Sequence, residues 1–264
     1  RDKMAIHTGL KFVLHPIRCR QSMRSIHSTS ISLEFKMSKR DELIREKGFF
    51  HEMVELNKTG GKLFIAEKEL TKSSESSLFP PLTGDSLSVN GGDLVMPTAA
   101  LGKISLVSIS FKQFGFEQIE TWMEPIQTEL KKINVTNSIS KTKNGSSSNG
   151  SRKHGGKKKT IQHNLLNIMY FSFSEDGIMA RLLKGSMKSG LANIIPITSR
   201  DHSMIYIGEL DSICEQLKIE NRLVGHLFLL DENAKVRWQA CGDATDDEVT
   251  NLALIIRQLQ NPQQ

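Results

Sequence analysis

The run ISLVSISF at residues 104–111 decides the fold class of this 264-residue chain. It is short, apolar and rich in β-branched residues, and it follows the turn sequence LGK at residues 101–103, as expected of a buried strand. Residues 116–132 then place apolar side chains at helical spacing, with two glutamates near the start and two lysines at the end. That charge order complements the helix macrodipole. The stretch therefore predicts a strand, a tight loop and a helix, which Pro125 kinks or splits.

Strand and helix patterns continue on both sides of this unit. Strand patterns fall at residues 87–89, 94–96, 165–173, 204–207, 224–230 and 234–240, and further helical patterns fall at 181–191 and 209–217. The last two strands flank the turn sequence DEN at residues 231–233, which predicts a β-hairpin. Thr245 and Glu248 then have the spacing of a capping box, which opens a closing amphipathic helix. A βαβ crossover followed by a ββα unit predicts an α/β fold, a thioredoxin-like (peroxiredoxin-like) sandwich.

The charge of the chain is concentrated in two basic segments. Residues 1–40 carry nine Lys/Arg and two Asp/Glu, and residues 131–160 carry nine Lys/Arg and no Asp/Glu. The rest of the chain carries 17 Lys/Arg and 27 Asp/Glu, a net charge of −10. A nucleic-acid-binding domain carries positive charge on its folded surface, so we expect no nucleic acid as a partner.

The first forty residues have the composition of a targeting segment. From Lys3 to Leu33 the sequence contains arginines and many serines but no acidic residue, which is typical of a mitochondrial or plastid transit peptide. A disordered basic tail is the alternative interpretation. We expect residues 1–40 to be a disordered presequence that is removed on import.

The remaining chain divides into a helix, a loop and one domain. Residues 38–57 form an amphipathic pattern that Gly48 interrupts, and the mixed charge of this helix favours docking on the domain over lying on a membrane. We expect residues 41–82 to comprise this helix and a loop, and residues 83–260 to form the thioredoxin-like domain. Residues 136–160 are low in complexity, which predicts a disordered basic insertion in the first crossover.

The loop that carries the redox centre in active members of the predicted fold lacks a cysteine here. It reads FKQFGF at residues 111–116, where a thiolate at the helix N-terminus is expected. Val224 and Gly225 stand where the fold's second hallmark, a cis-proline, precedes the hairpin. The three cysteines form no CxxC pair, and the histidines have no metal-ligand spacing. We therefore expect no enzyme activity, no cofactor and no metal.

Two cysteines remain to be placed in the domain, Cys214 and Cys241. Burial as a small apolar side chain is the usual state of a free cysteine, and redox activity of either thiol is the alternative. Within the loop, Phe114, Gly115 and Phe116 are candidates for partner binding. We expect Phe114 to be exposed, because a glycine beside it frees the backbone to present the ring outward.

Two sequence blocks resemble the family of mitochondrial ATP synthase assembly factors called ATP ten. The first, residues 217–242, reads LKIENRLVGHLFLLDENAKVRWQACG, and it contains the family-motif residues Val224, Gly225, Arg237, Trp238, Cys241 and Gly242. The second is residues 102–111, with Phe114, Gly115 and Trp122 beyond them. Together the blocks and the segment that joins them span residues 87–258. The chain departs from the family pattern at the 136–160 insertion and at His226, where an aromatic residue is commoner.

The resemblance implies an imported protein, peripheral on the matrix side of the mitochondrial inner membrane. It implies a non-enzymatic chaperone for subunit 6 (subunit a) of the proton-transporting ATP synthase, which helps that subunit join the ring of c subunits. It implies no catalytic residues. Independently of the resemblance, we expect Trp122 of the aromatic residues at 111–122 to lie in the core.

Two other functions stay open at this point. One is a divergent, thiol-dependent, peroxiredoxin-like oxidoreductase that uses Cys241 or Cys214. The other is an RNA- or anionic-lipid-binding factor that uses Arg152, Lys153 and the lysines at 157–159.

Overall fold

The computed structural model describes residues 39–143 and 166–260 of the chain. The predicted presequence, except its last two residues, and the basic side chains at 152–159 lie outside the described residues. The elements in chain order are α1 (Lys39–Thr59), β1 (Leu82–Ser86), β2 (Asp93–Met96), a 3-10 turn (Thr98–Ala100), β3 (Ser105–Ser110), α2 (Gln113–Lys143), β4 (Asn167–Glu175), α3 (Ile178–Ile194), α4 (Ile197–Arg200), β5 (Met204–Gly208), α5 (Asp211–Leu217), β6 (His226–Leu230), β7 (Val236–Cys241) and α6 (Asp246–Gln260).

Seven strands form one sheet in the order β2-β1-β5-β4-β3-β6-β7. Strands β3, β4 and β5 are parallel, whereas β6 runs antiparallel to β3 and pairs with β7 as a hairpin. The β3-α2-β4 crossover is therefore followed by the β6-β7-α6 unit. This confirms the predicted thioredoxin-like α/β sandwich.

Strand β3 lies inside the sheet between β4 and β6, and all six of its residues are buried. Its alternate apolar side chains enter two different layers, Leu106 on one face and Val107 with Ile109 on the other. The serine between Val107 and Ile109 bonds the neighbouring strand, since the Ser108 hydroxyl donates to the Met169 carbonyl at 3.2 Å. A strand buried on both faces reads as a continuous apolar run with small hydroxyls.

Helices cover both faces of the sheet. Helices α2 and α6 pack on one face around Trp122, which is fully buried as predicted. Helix α5 packs on the other face, where Phe79 closes the layer. The outer edge of β7 is covered by the loop that precedes β1. In this loop Ser77 O accepts from Val236 N–H, and Phe79 N–H donates to Ala234 O. Covering an edge in this way prevents unwanted strand pairing.

Some predicted boundaries differ from the structure. Helix α2 is not split at Pro125 and runs on to Lys143, so residues 136–143 of the predicted insertion are helical. Buried apolar side chains on both sides of Pro125 hold the two halves against the sheet. The first hairpin strand is residues 82–86 instead of 87–89. Leu87 does not pair with β2, and its N–H donates to Ser203 O. Helix α1 is continuous through Gly48.

Candidate functional site

The loop without a redox residue lies directly against the segment before β6. A Cβ atom built on Gly115 would lie 2.9 Å from Gly225 N, and one built on Gly225 would lie 2.3 Å from Gly115 O. Real Cβ atoms do not approach backbone so closely, so both positions require glycine. The predicted role of Gly115 is thus corrected: it is buried and permits close backbone packing instead of presenting the neighbouring ring.

The side chain of Gln118 fastens this contact. Its Oε1 accepts a hydrogen bond from Gly225 N–H at 3.0 Å, and its Nε2 donates to Gly61 O at 3.5 Å. The buried amide thus links α2, the segment before β6 and the residues that follow α1. Sequence reasoning missed Gln118, although a polar residue between the apolar Phe116 and Ile119 was a visible signal.

The two phenylalanines of the loop have different environments. Phe116 is only 6% exposed and lies 6.4 Å, centroid to centroid, from Tyr170. It belongs to the core and is not available to a partner, which corrects its prediction as a binding residue. Phe114 is 41% exposed. A Cβ built on Gly61 would lie 3.2 Å from both Phe114 Cε1 and Leu56 Cδ1, so Phe114 adjoins the end of α1.

The two indole groups of the family motif hold the segment that follows α1 and the turn that follows β7. We call residues 60–72 the strap. Trp238 Nε1 donates to Glu67 O of the strap at 2.8 Å, and Trp122 Nε1 donates to Gly242 O at 2.8 Å. The two indole rings meet edge to face at 5.9 Å. Gly242 has φ +68° and lies against Gly61, which leaves no room for a side chain.

Arg237 holds the far end of the strap. Its Nε donates to Thr71 O at 2.7 Å, while a second guanidinium nitrogen bonds the Asp231 carboxylate at 3.0 Å. The Thr71 N–H donates in return to Arg237 O at 2.9 Å. The family-motif residues Trp122, Arg237, Trp238 and Gly242 thus fix the position of the strap and of the turn after β7.

Glu248 forms the predicted capping box and also binds the strap. Glu248 N–H donates to the Thr245 hydroxyl at 3.3 Å, and Thr245 N–H donates to the Glu248 carboxylate at 3.2 Å. The carboxylate also accepts from the Thr245 hydroxyl at 2.9 Å, from Ala66 N–H at 2.8 Å and from Lys62 Nζ at 2.7 Å. Burial raises the pKa of Glu248, but the hydrogen bonds from Ala66, Lys62 and Thr245 outweigh it, so the pKa lies below its ordinary value. The favourable interaction of an acidic side chain with the helix dipole is therefore not the only role of Glu248 at the start of α6.

Both cysteines of the domain are buried, as the first of the two interpretations expected. Burial raises the pKa of Cys214, with partial opposition from Arg222, and burial also raises the pKa of Cys241. The Cys241 thiol lies 3.9 Å from Phe64 O of the strap. A reactive cysteine needs a lowered pKa and an accessible sulfur, and neither thiol has them.

His226 and Asn221 form a buried polar pair that docks α1. His226 Nε2 donates to Asn221 O at 2.8 Å, and burial lowers the pKa of His226 to about 4. The imidazole is therefore neutral near pH 7. Asn221 Nδ2 donates to Glu52 O and to Glu55 Oε2, both at 2.9 Å. These bonds attach the C-terminal half of α1 to the domain.

The described residues also bear on metal binding and on membrane crossing. Within residues 39–143 and 166–260, no three His, Cys, Asp or Glu side chains are grouped so that they could hold a metal ion. Among the helices of the same residues, none combines the length and apolarity that crossing a membrane requires.

The fold and the loop together define a class: a thioredoxin-like domain whose redox position holds no cysteine. Comparison with known proteins gives the family. The model of the family described as "ATP10 protein" matches residues 14–259, and the chain belongs to that family. This confirms the resemblance expected from the two sequence blocks.

Two curated relatives carry the same description, "Mitochondrial ATPase complex subunit ATP10". The one from Candida glabrata is 26% identical over 233 residues, which cover 85% of this chain and 74% of the relative. The one from Saccharomyces cerevisiae is 24% identical over 237 residues, 87% of this chain and 78% of the relative.

Solved structures similar to the chain are distant. BsSco, of the Sco family of cytochrome c oxidase assembly proteins, is 11% identical with a TM-score of 0.41, over 70% of this chain and 95% of that one. The mitochondrial 2-Cys peroxiredoxin of Plasmodium falciparum is 15% identical with a TM-score of 0.35, over 72% of this chain and 97% of that one. These likenesses carry no conclusion about activity.

Substitution of Gly225 by alanine is expected to destabilise the domain by about 1–3 kcal/mol, as overpacking of a core does. The added Cβ would clash with Gly115 O. Gly185→Ala is the matched control, because that glycine lies within α3 and a Cβ there meets nothing within 4 Å. Urea unfolding measures both variants. Equal stability of Gly225→Ala and the wild type would contradict the required contact.

Replacing Glu248 by glutamine is expected to lower the free energy of unfolding by about 2 kcal/mol at pH 7, because charge-assisted hydrogen bonds are lost. The folded pKa lies below the ordinary 4.5, so the carboxylate stabilises the fold above that pH. The contribution disappears as pH falls through the folded pKa. The difference from wild type should therefore narrow below pH 4.5.

Asp247→Asn is the control for this experiment, because Asp247 is an exposed carboxylate of the same helical turn. It removes the same charge from the N-terminus of α6 without breaking a strap contact. If both variants lose the same small amount of stability, Glu248 acts only through the helix dipole and the strap contact has no energetic weight.

Proposed function

We propose that this chain is a non-enzymatic assembly chaperone of the mitochondrial proton-transporting ATP synthase. Membership of the ATP10 family and the description of its relatives as mitochondrial ATPase complex subunits support the assignment to this complex. Within it, the chain assists incorporation of membrane subunit 6 (subunit a) next to the c ring. Its location is the matrix side of the inner membrane, as a peripheral protein.

The observation that carries the non-enzymatic part is the state of the thiols. The loop at the start of α2 has no cysteine, and the pKa of each domain thiol is raised by burial. Nothing in the described residues favours the thiol-dependent oxidoreductase as a second function. The domain therefore keeps the shape of a redox protein and uses the corresponding surface for binding.

The binding face of the proposal combines the loop with α1. Phe114 adjoins Leu56 near the end of α1, and Phe49, Phe50, Met53 and Val54 of α1 are exposed apolar side chains. Phe64 and Ile65 of the strap are exposed as well. A chaperone for an apolar membrane subunit needs such side chains, and aromatic residues commonly dominate binding energy.

Substitution of Phe114 by alanine is expected to weaken capture of subunit 6 from mitochondrial extracts while it changes stability by less than about 1 kcal/mol, as at a surface site. Phe116→Ala is the matched control, and its buried ring should cost about 3–5 kcal/mol. Affinity capture and thermal unfolding are measured on the same preparations. Unchanged capture, or a large loss of stability in Phe114→Ala, would remove the loop from the binding face and leave only the helix α1.

Thiol chemistry is expected to be dispensable. A double variant, Cys214→Ala with Cys241→Ser, should support ATP synthase assembly in cells, with a packing cost of order 1 kcal/mol at Cys214. Assembled complex is measured in cells that contain only the variant, alongside its abundance. Failure of assembly with a folded and abundant variant would establish a role for a thiol and defeat the non-enzymatic proposal.

A further inference from the structure

The outward side of α3 is apolar. Ile178, Met179, Leu182 and Leu183 are 80%, 65%, 73% and 50% exposed, and no residue of α3 is buried. These four side chains, at positions i, i+1, i+4 and i+5, lie on one side of the helix. We call them the α3 face. Contiguous exposed apolar side chains of this size mark interaction sites.

The α3 face is not the side by which the helix packs on its own domain. Met187 and Leu191 make that contact, against the core layer that contains Trp122. Helical geometry places them opposite Ile178 and Leu182, whereas Leu183, four residues before Met187, borders the packing side. The apolar character of the α3 face is therefore surplus to folding, and its exposure carries a cost in water that an interaction would remove.

The charged side chains of α3 itself are all basic, although the domain as a whole is acidic. Residues 178–200 contain Arg181, Lys184, Lys188 and Arg200 and no Asp or Glu, whereas the chain outside its two basic segments has a net charge of −10. Arg181 pairs with Asp176, and Lys184 pairs with Asp85. The Arg181–Asp176 pair is solvent-exposed, and such pairs contribute little to stability, whereas the Lys184–Asp85 pair is half-buried.

We propose that the α3 face binds an anionic lipid surface, with its apolar side chains inserted at the headgroup level and its cations facing the phosphates. An amphipathic helix with basic side chains beside an apolar face is the element that lies in such an interface. The inference deepens the peripheral-membrane part of the proposed function and rests on it. It assigns the contact to α3, so that the subunit-binding face at Phe114 remains free.

Charge also argues against the other occupants of the α3 face. The two long segments of this chain outside the described residues, 1–38 and 144–165, are themselves basic, so covering α3 with either would bring like charges together. A second copy of the chain would bring the same cations to the same face. An anionic lipid surface satisfies both the apolar and the charged part of the site.

Co-sedimentation of the full chain with vesicles tests the proposal. The vesicles contain phosphatidylcholine with or without cardiolipin, and we expect tighter binding when cardiolipin is present. The double variant Met179→Gln/Leu182→Gln keeps net charge and helix propensity. It should bind the anionic vesicles at least about tenfold more weakly, because two large apolar side chains no longer insert.

Leu254→Gln is the matched control, because Leu254 is an exposed leucine of α6; it should bind as the wild type does. Wild-type binding by Met179→Gln/Leu182→Gln, with Leu254→Gln unchanged, would overturn the proposal and assign any vesicle binding to the basic segments. Far-UV circular dichroism and urea unfolding confirm that each variant is folded.

Capture of ATP synthase subunits from detergent extracts separates this inference from the proposed function. If the α3 variant loses vesicle binding but captures subunit 6 normally, both proposals are supported. If it binds vesicles normally but loses capture, the α3 face is a protein-binding surface and the lipid proposal fails. If wild-type protein binds vesicles through the α3 face but captures no ATP synthase subunit, the lipid proposal stands and the chaperone proposal fails.

Discussion

The backbone contact between Gly115 and Gly225 is the constraint on which the rest of the domain depends. It brings the start of α2 against the segment before β6, and Gln118 fixes it with a hydrogen bond to Gly225 N–H. Each glycine lacks the side chain that would force these segments apart. Because α2 starts there, its direction carries Trp122 into the core and against the turn after β7. The position that holds a reactive thiol in redox members of the fold is here a packed junction.

The strap shows why the family motif is structural. Trp122, Trp238, Arg237 and Glu248 lie on three different elements, and their polar atoms converge on residues 61–71 or on the adjoining turn. Lys62 adds its ammonium group 5.0 Å above the Trp122 ring. These contacts tie α1 and its exposed aromatic side chains to the domain. The apolar surface around Phe114 is therefore held by a rigid support, which lowers the entropic cost of binding.

Local patterns in the sequence were sufficient to predict the sheet and part of the candidate site. The strand at 104–111, the final hairpin and the Thr245–Glu248 capping box depend on residues that are neighbours in sequence, and the structure confirms them. Lys62 and Glu248, however, are 186 residues apart, and Gln118 lies 57 residues from Gly61. No periodic pattern of apolar and polar residues in the sequence predicts contacts between residues so far apart. The role of Gly115 and the burial of Phe116 depend in the same way on β6 and β4, which only the folded chain brings close.

Site-specific photo-crosslinking tests the central claim, that the loop of a redox fold has become a binding surface, most directly. A photoreactive phenylalanine analogue replaces Phe114 in one protein and Leu254 in another, and mitochondria containing each are irradiated and analysed by mass spectrometry. The account predicts an adduct with subunit 6 from position 114 and none from position 254. Equal labelling from both positions, or a loop that labels no ATP synthase subunit, would contradict it.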